Sequence, residues 1–383
     1  MKELGIYVHI PFCKRKCNYC DFVSCTRIEM QEKYVESLLK EIEYYKNKIT
    51  EEGRNNFKVT TIYFGGGTPS IINERYIVHI LNTIKINFMV DVNAEITIEV
   101  NPGTVTREKI LMYKRAGINR ISIGLQSTDD RILKELGRIH NFDEFLETYR
   151  IVRESEFENV NIDLMLGLPN QDNNLLIKSI EKVISLDPEH VSIYSLILEE
   201  GTKYKELVDK GELILPSDEK ERDMYWKTKE YLESEGYNHY EISNFAKKGY
   251  ESKHNSSCWE QENYLGFGVA AHSYFCNKRY NNTDDLDIYI ENINREKFED
   301  NVTINEIQDD NDKMKEYMLL SLRKIEGVSI SKFKTKFINN PLYLYRDQIE
   351  KLVNNELIEV DLDNIKLTKK GIDLANLVWE EFV

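Results

Sequence analysis

Three cysteines fall within eight residues in the segment His9-Ile10-Pro11-Phe12-Cys13-Lys14-Arg15-Lys16-Cys17-Asn18-Tyr19-Cys20-Asp21-Phe22. Such crowding does not suit a disulfide framework in so long a chain, and in a reducing compartment it points to metal. Thiolates are the soft ligands that iron–sulfur clusters require. Three of them on a four-iron cube leave one iron without a protein ligand. Lys14, Arg15 and Lys16 put positive charge beside the thiolates, which offsets an anionic cluster. A structural zinc loop is the other reading, but zinc wants four ligands, and Cys25 is the only nearby addition. The spacing therefore predicts a cluster held by Cys13, Cys17 and Cys20.

A second group of polar residues stands where apolar runs stop. Gly65-Gly66-Gly67-Thr68 follows the second run, Glu99 ends the third, Gln126 lies just past the fourth and Asp163 near the end of the fifth. The glycines let backbone approach a ligand closely. Without the lysine of a phosphate-binding loop, they do not predict a nucleoside triphosphate. A carboxylate ending an apolar strand is costly unless it has a partner. Glu99 and Asp163 are therefore expected to accept hydrogen bonds from a ligand's hydroxyl or ammonium groups.

A third constellation is His254-Asn255-Ser256-Ser257-Cys258-Trp259. On a helix His254 and Cys258, four apart, share a face. Imidazole and thiolate are both axial ligands of haem iron, and Trp259 could stack on a flat macrocycle. A buried histidine with satisfied hydrogen bonds beside a buried cysteine accounts for the same letters. The residues alone leave both readings open. Cys276 reads as a small buried apolar residue, and His272, beyond Gly266-Phe267-Gly268, is expected to approach either the cofactor or the haem side.

The elements that must position these groups are legible between residues 4 and 195. Apolar, β-branched runs at 5–10, 60–64, 95–100, 120–125, 159–164 and 190–195 alternate with stretches of helical spacing, such as Tyr34, Leu38, Ile42 and Tyr45. The pattern predicts parallel βαβ units. Six units are too few for a closed eightfold barrel, so the expectation is an open, partial (β/α)6 barrel. Periodicity alone does not separate that from a doubly wound sheet. Polar residues at five successive strand ends favour the barrel, whose chemistry sits at the strand C-termini.

The predicted division is a barrel over 1–200, an extension for substrate or haem over 201–305, and a C-terminal unit over 306–383. The last reads as a helix at 314–323, helices at 330–337 and 345–354, a hairpin from strands at 357–360 and 365–367, and a closing helix running to Phe382. Three helices and a wing make a winged-helix-like α+β unit. Between 342 and 383 it carries nine Asp or Glu against five Lys or Arg, which argues against DNA binding. The net charge of −15 also disfavours a nucleic-acid partner. With no signal-peptide pattern and no apolar run of membrane-spanning length, a cytoplasmic location is expected.

Cys-x3-Cys-x2-Cys after a first strand resembles the radical-SAM signature, and the resemblance spans essentially the whole chain. Tyr7-Val8-His9-Ile10-Pro11-Phe12-Cys13, Gly65-Gly66-Gly67-Thr68-Pro69-Ser70, Ile98-Glu99-Val100-Asn101-Pro102, Gly124-Leu125-Gln126-Ser127, Asn161-Ile162-Asp163-Leu164 and Gly167-Leu168-Pro169 are together similar to the oxygen-independent coproporphyrinogen dehydrogenases and their relatives. The resemblance implies a 4Fe–4S cluster whose free iron chelates S-adenosylmethionine. It implies that Gly66, Gly67 and Thr68 meet the cofactor's methionine part, and that Tyr7, Glu99, Gln126, Arg138 and Asp163 complete the pocket. The dehydrogenases typically continue the cysteine motif with one more cysteine, where this chain has Phe22. Cys20-Asp21-Phe22 and Tyr240-Glu241-Ile242-Ser243-Asn244-Phe245 resemble instead the haem-chaperone branch. His254–Trp259 matches that branch's H-N-x-x-Y-W motif except for Cys258 in the tyrosine position. The resemblance thus implies haem as ligand, His254 as an axial-ligand candidate, haem-accepting proteins as partners, some of them membrane-associated, and an electron donor such as flavodoxin or ferredoxin. The dehydrogenase is the second reading, and a winged-helix regulator a distant third.

Overall fold

The computed structural model describes residues 1–53 and 56–382. Six parallel strands follow one another in space as in sequence: β1 (Lys2–Ile10), β2 (Phe57–Gly66), β3 (Val90–Val100), β4 (Arg120–Gln126), β5 (Val160–Leu166) and β6 (His190–Ser195). Helices α1 (Gln31–Glu51), α2 (Glu74–Asn87), α3 (Arg107–Ala116), α4 (Asp130–Glu135), α5 (Phe142–Glu154) and α6 (Asn173–Ile184) lie in the crossovers. A doubly wound sheet reverses its strand order partway. This one does not, so it curls in one direction as the partial barrel requires.

Each strand has two unlike faces, because successive side chains point to opposite sides. Ile6, Val8, Ile62, Phe64, Ile98, Ile123, Ile162 and Leu164 are buried in one apolar core with Leu38, Ile42, Ile80 and Ile180 of the helices. Tyr7, Tyr63, Glu99, Ser122, Asp163 and His190 alternate with them and face the lumen. The strands therefore carry most of their aliphatic residues on one face, with Met165 an exception on the lumen side, unlike sheets covered on both sides by helices.

Residues beyond the sixth strand enlarge the same sheet. After α7 (Lys203–Asp209) and α8 (Asp218–Ser234), β7 (Asn238–Glu241) and β8 (Asn244–Ala246) form a hairpin that joins β6 antiparallel. A short helix, α9 (Lys253–Trp259), then crosses to the other edge. There β9 (Asn263–Phe267) pairs parallel with β1, and β10 (His272–Phe275), β11 (Lys278–Asn282) and β12 (Val302–Ile307) extend the sheet to twelve strands.

The C-terminal unit has its own core of Met318, Leu322, Phe333, Leu352, Ile365 and Val378. Its first helix is Asp310–Ser321, earlier than the sequence pattern suggested, because a capping box at Asp309 starts it. Val328–Ser329, Ile358–Val360 and Asn364–Leu367 make a three-stranded antiparallel sheet beside helices Ile330–Phe337 and Arg346–Asn354. The closing helix is two short ones, Lys369–Asp373 and Ala375–Glu380, because Leu374 leaves the helical region with φ −125°. Among the described residues no helix is long and apolar enough to cross a membrane.

Candidate functional site

The cysteine loop leaves the C-terminal end of β1 and is fastened from two sides. On one side Cys25 N–H donates to Pro11 O (2.7 Å) and Cys13 N–H to Cys25 O (2.8 Å). On the other, Gly67 N–H donates to Ile10 O (2.9 Å) and Thr68 N–H to Phe12 O (2.8 Å). Farther along, Asn18 N–H donates to Leu136 O (2.9 Å), which pins the loop to the end of α4. The glycines earn their place through this contact. A Cβ on Gly67 would stand 2.8 Å from Phe12 O, and one on Gly66, at φ +108°, 2.5 Å from the His9 ring.

Polar side chains link the loop to the strand ends. Thr68 Oγ1 lies 3.5 Å from Cys13 Sγ and accepts from Asn101 Nδ2 (2.8 Å). Arg138 donates to Asn101 Oδ1 (2.7 Å) and Gly124 O (2.6 Å), and its other terminal nitrogen lies 3.7 Å from Cys17 Sγ. Burial pushes the Cys13 thiol up and Cys20 up to about 11, against a hydrogen bond from Thr68 to the first and from the Phe22 backbone to the second, with the charges of Arg138 and Lys16 pulling the same way as those bonds. Among the described residues no three His, Cys, Asp or Glu side chains converge on a single metal ion. A cube gives each thiolate its own iron, so the sulfurs need not converge on one point. The donor set, three partly buried thiols on one wall with a guanidinium beside one of them, fits an anionic iron–sulfur cluster.

A cleft of about 410 Å³ opens beside the thiols, lined among others by Gly66, Thr68, Glu99, Gln126 and Asp163. Burial pushes the Glu99 carboxyl up to about 8, with Tyr63 Oη, 2.9 Å from Oε1, pulling the other way and the negative charge of Asp163 adding to the rise. Burial also raises Asp163, against the donation of Asn161 Nδ2 to its Oδ1 at 2.7 Å. Burial raises both carboxyls despite the nearby Arg120 and, on Asp163, the donors Asn161, Ser122 and Ser192, so both gain from added positive charge in the cavity. Gln126 sits at φ +69°, and its buried Oε1 has no partner. A ligand rich in donors and bearing cationic groups would satisfy all three.

The cleft thus gathers Cys13, Cys17, Cys20, Gly66, Gly67, Thr68, Glu99, Gln126, Arg138 and Asp163. Tyr7 stands one layer back, its hydroxyl 3.1 Å from His9 Nδ1 and its ring stacked on Tyr63 at 6.3 Å. His254 is not brought to the cleft. It is 7% exposed, its Nδ1 lies 2.9 Å from Thr61 Oγ1, and its ring stacks on Tyr63 with centroids 5.2 Å apart. That enclosure leaves no open face for a macrocycle. Burial lowers its pKa to about 4. Among the cleft residues given no role in the sequence are Asn101 and Tyr194. Both obey the rule that picked out Glu99, a polar group at the end of a strand.

Comparison with known proteins agrees with the fold. The Radical SAM superfamily model matches residues 7–183 and the HemN C-terminal domain model residues 308–374. The structure of coproporphyrinogen III oxidase (HemN) from Escherichia coli, a radical SAM enzyme, superposes with a TM-score of 0.85 at 22% identity, over 100% of this chain and 90% of that one. The fold is thus that of the radical-SAM class. Two relatives named heme chaperone HemW are each 37% identical: that of Lactococcus lactis over 100% of this chain and 98% of its own, that of Bacillus subtilis over 98% of both. The chain belongs to the HemW family.

Proposed function

We propose that this protein binds haem and hands it to acceptor proteins, with a 4Fe–4S cluster on Cys13, Cys17 and Cys20 and S-adenosylmethionine in the cleft beside it. The observation that carries the reading is one cleft combining three thiols, two buried carboxylates and a rim that is both apolar and basic. Phe22 and Ile197 are 59% and 68% exposed, and Arg15 and Lys16 line the same cleft. Exposed large apolar side chains beside cations are complementary to a flat macrocycle with two propionates. The names of the 37%-identical relatives point to the same ligand.

When bound, the cluster supplies a redox-active iron with one open coordination position. Arg138 stands against Cys17, where it offsets thiolate charge, and it would be the partner of a ligand carboxylate. Glu99 and Asp163 would accept from the cofactor's ammonium and hydroxyl groups, Gln126 Oε1 would take a donor it now lacks, and Gly66–Thr68 would hold the methionine part. Haem docks outside this pocket, its face on Phe22 and Ile197 and its propionates toward Arg15 and Lys16. The working setting is the cytoplasm, with an electron donor such as flavodoxin or ferredoxin, haem-accepting partners including membrane-associated ones, and no nucleic acid. Phe22, in place of a further cysteine, also argues against the dehydrogenase reading.

The test is anaerobic reconstitution followed by haem titration and, separately, incubation with coproporphyrinogen III. One haem per chain with a defined Soret band, transferable to an apo-acceptor, is expected. Joint replacement Phe22→Ser and Ile197→Ser should weaken haem binding about tenfold or more without loss of iron, given about 1.5–3 kcal/mol for fully burying one large apolar side chain. Multiple-turnover decarboxylation of coproporphyrinogen III would overturn the proposal.

A further inference from the structure

The segment His254–Trp259 spans two parts of the molecule. At its start, Glu95 on β3 accepts from the backbone N–H of Lys253 and of His254, both at 3.1 Å, which seats the first turn of α9 in the lumen. The imidazole then lies against Tyr63, interplanar angle 27°, and Tyr63 Oη donates to Glu99 Oε1 in the cleft. At its other end, the Arg323 guanidinium of the C-terminal unit lies over the Trp259 ring at 4.5 Å. Gln261 donates to Glu316 Oε2 (2.8 Å), and Glu260 pairs with Lys332 (2.8 Å). One seven-residue helix therefore touches the C-terminal unit with its last turn and a cleft-directed tyrosine with its first.

We propose that His254 is a positioning residue: through the Tyr63 ring it fixes the hydroxyl that orients Glu99, and α9 thereby ties the C-terminal unit to the cofactor pocket. This rests on the reading of Glu99 as an S-adenosylmethionine ligand. The physical case is steric and directional. Tyr63 has two rings stacked against it, Tyr7 at 6.3 Å and His254 at 5.2 Å, which limit the swing of its ring about the Cα–Cβ bond that would carry the hydroxyl away from Glu99. Without His254 the ring has space to tilt, and the bond to Glu99 loses its alignment. The hydrogen bond from Thr61 or His254, whichever donates between Oγ1 and Nδ1, locks the imidazole in the stacked orientation.

The experiment is calorimetric titration of S-adenosylmethionine into the anaerobically reconstituted full chain, with haem spectra recorded on the same samples. Tyr63→Phe should weaken binding by a factor of about 3 to 10, the value of one hydrogen bond. His254→Ala should weaken it by a similar factor, and the double variant no further than Tyr63→Phe alone, since both act on one bond. His254→Phe, which keeps a flat ring, should restore most of the affinity lost in His254→Ala, and its Soret band should match the unaltered protein. Additive effects of the two single changes, or unchanged affinity in His254→Ala with a normal melt, would overturn the coupling. A shifted Soret band in His254→Phe would make the imidazole a haem ligand instead. Should His254→Ala not fold, Tyr63→Phe and His254→Phe decide: loss in the first with retention in the second supports the coupling, and any other pairing defeats it. No binding by the unaltered chain would instead defeat the cofactor reading itself.

Discussion

Cys25 is close enough to the cluster loop to be mistaken for a fourth ligand, yet its contribution comes from the main chain. Its N–H and C=O bond Pro11 and Cys13, and its side chain packs against the apolar core. Cys25→Ala keeps both backbone bonds, so the reconstituted protein should retain about four irons per chain and its charge-transfer absorbance. Cys13→Ala, Cys17→Ala or Cys20→Ala should each abolish both, because each leaves another iron open. Iron content with visible absorption checks this, and loss of the cluster in Cys25→Ala would return a fourth ligand to the site. Glu99 and Asp163 belong to the same scale. Glu99→Gln and Asp163→Asn should each cost about 1.5–3 kcal/mol of S-adenosylmethionine binding, the range for hydrogen bonds to charged groups. Calorimetry on cluster-loaded protein reads the loss, and unchanged affinity in both would make these carboxylates structural.

Between elements, the tightest fit is the glycine turn after β2 against the cysteine loop after β1. Gly67→Ala drives a methyl into the Phe12 and Ile10 carbonyls, at 2.8 and 2.9 Å, and must push the loop outward. Reconstituted Gly67→Ala should carry clearly less iron than the unaltered protein, whereas Gly249→Ala should not. Gly249 has a positive φ of +90° but open space around its Cβ position, so substitution there costs backbone strain, about 1 kcal/mol, without touching the site. Equal iron in both variants would mean that the loop tolerates displacement. The glycines, the six barrel strands and the helix faces were legible in the sequence because their signals are local: alternation, helical spacing, and polar residues where apolar runs stop. The strands from β7 to β12 were not. They are three to six residues long and rich in Asn, His, Tyr and charge, so no apolar run marks them. Their state is decided by pairing with distant strands, as when β9 finds β1 across the whole barrel. The surroundings of His254 were illegible for the same reason. The letters specify an imidazole on a helix face, and only strand register sets that face against Tyr63.

At the scale of the molecule, the added strands are fastened to the barrel by a buried carboxyl. Glu41 on α1 accepts from Gly268 N–H (2.7 Å), Tyr289 Oη (2.7 Å) and Asn282 Nδ2 (2.6 Å), which belong to the β9–β10 turn, the helix Leu286–Asn294 and the end of β11. Nearby, Tyr34 Oη donates to His9 O (2.6 Å) and accepts from Val269 N–H, so α1 reaches both the cysteine strand and the extension. Burial pushes Glu41 up from 4.5 to about 7, against the pull of its three donors. The native chain therefore holds a proton there that the unfolded chain has released between those two values. Its contribution to stability is full below about pH 4.5 and is lost as pH rises through about 7. The loss approaches about 3 kcal/mol, from 1.36 kcal/mol per unit. The buried histidines act in the opposite direction. Burial lowers His9 and His254 to about 4, so the native state resists their protonation and loses stability as pH falls below 6.5. A raw pH profile mixes the two trends, but both histidines are present in Glu41→Gln, so the difference between the proteins isolates the carboxyl. Urea unfolding of anaerobic holoprotein near pH 5.5 and near pH 8.5 should show the unaltered chain losing stability relative to Glu41→Gln as pH rises. The loss should appear as a lower midpoint at unchanged slope, since the surface exposed on unfolding is the same. A constant difference across that range would mean that Glu41 stays ionised, with its three donors outweighing burial.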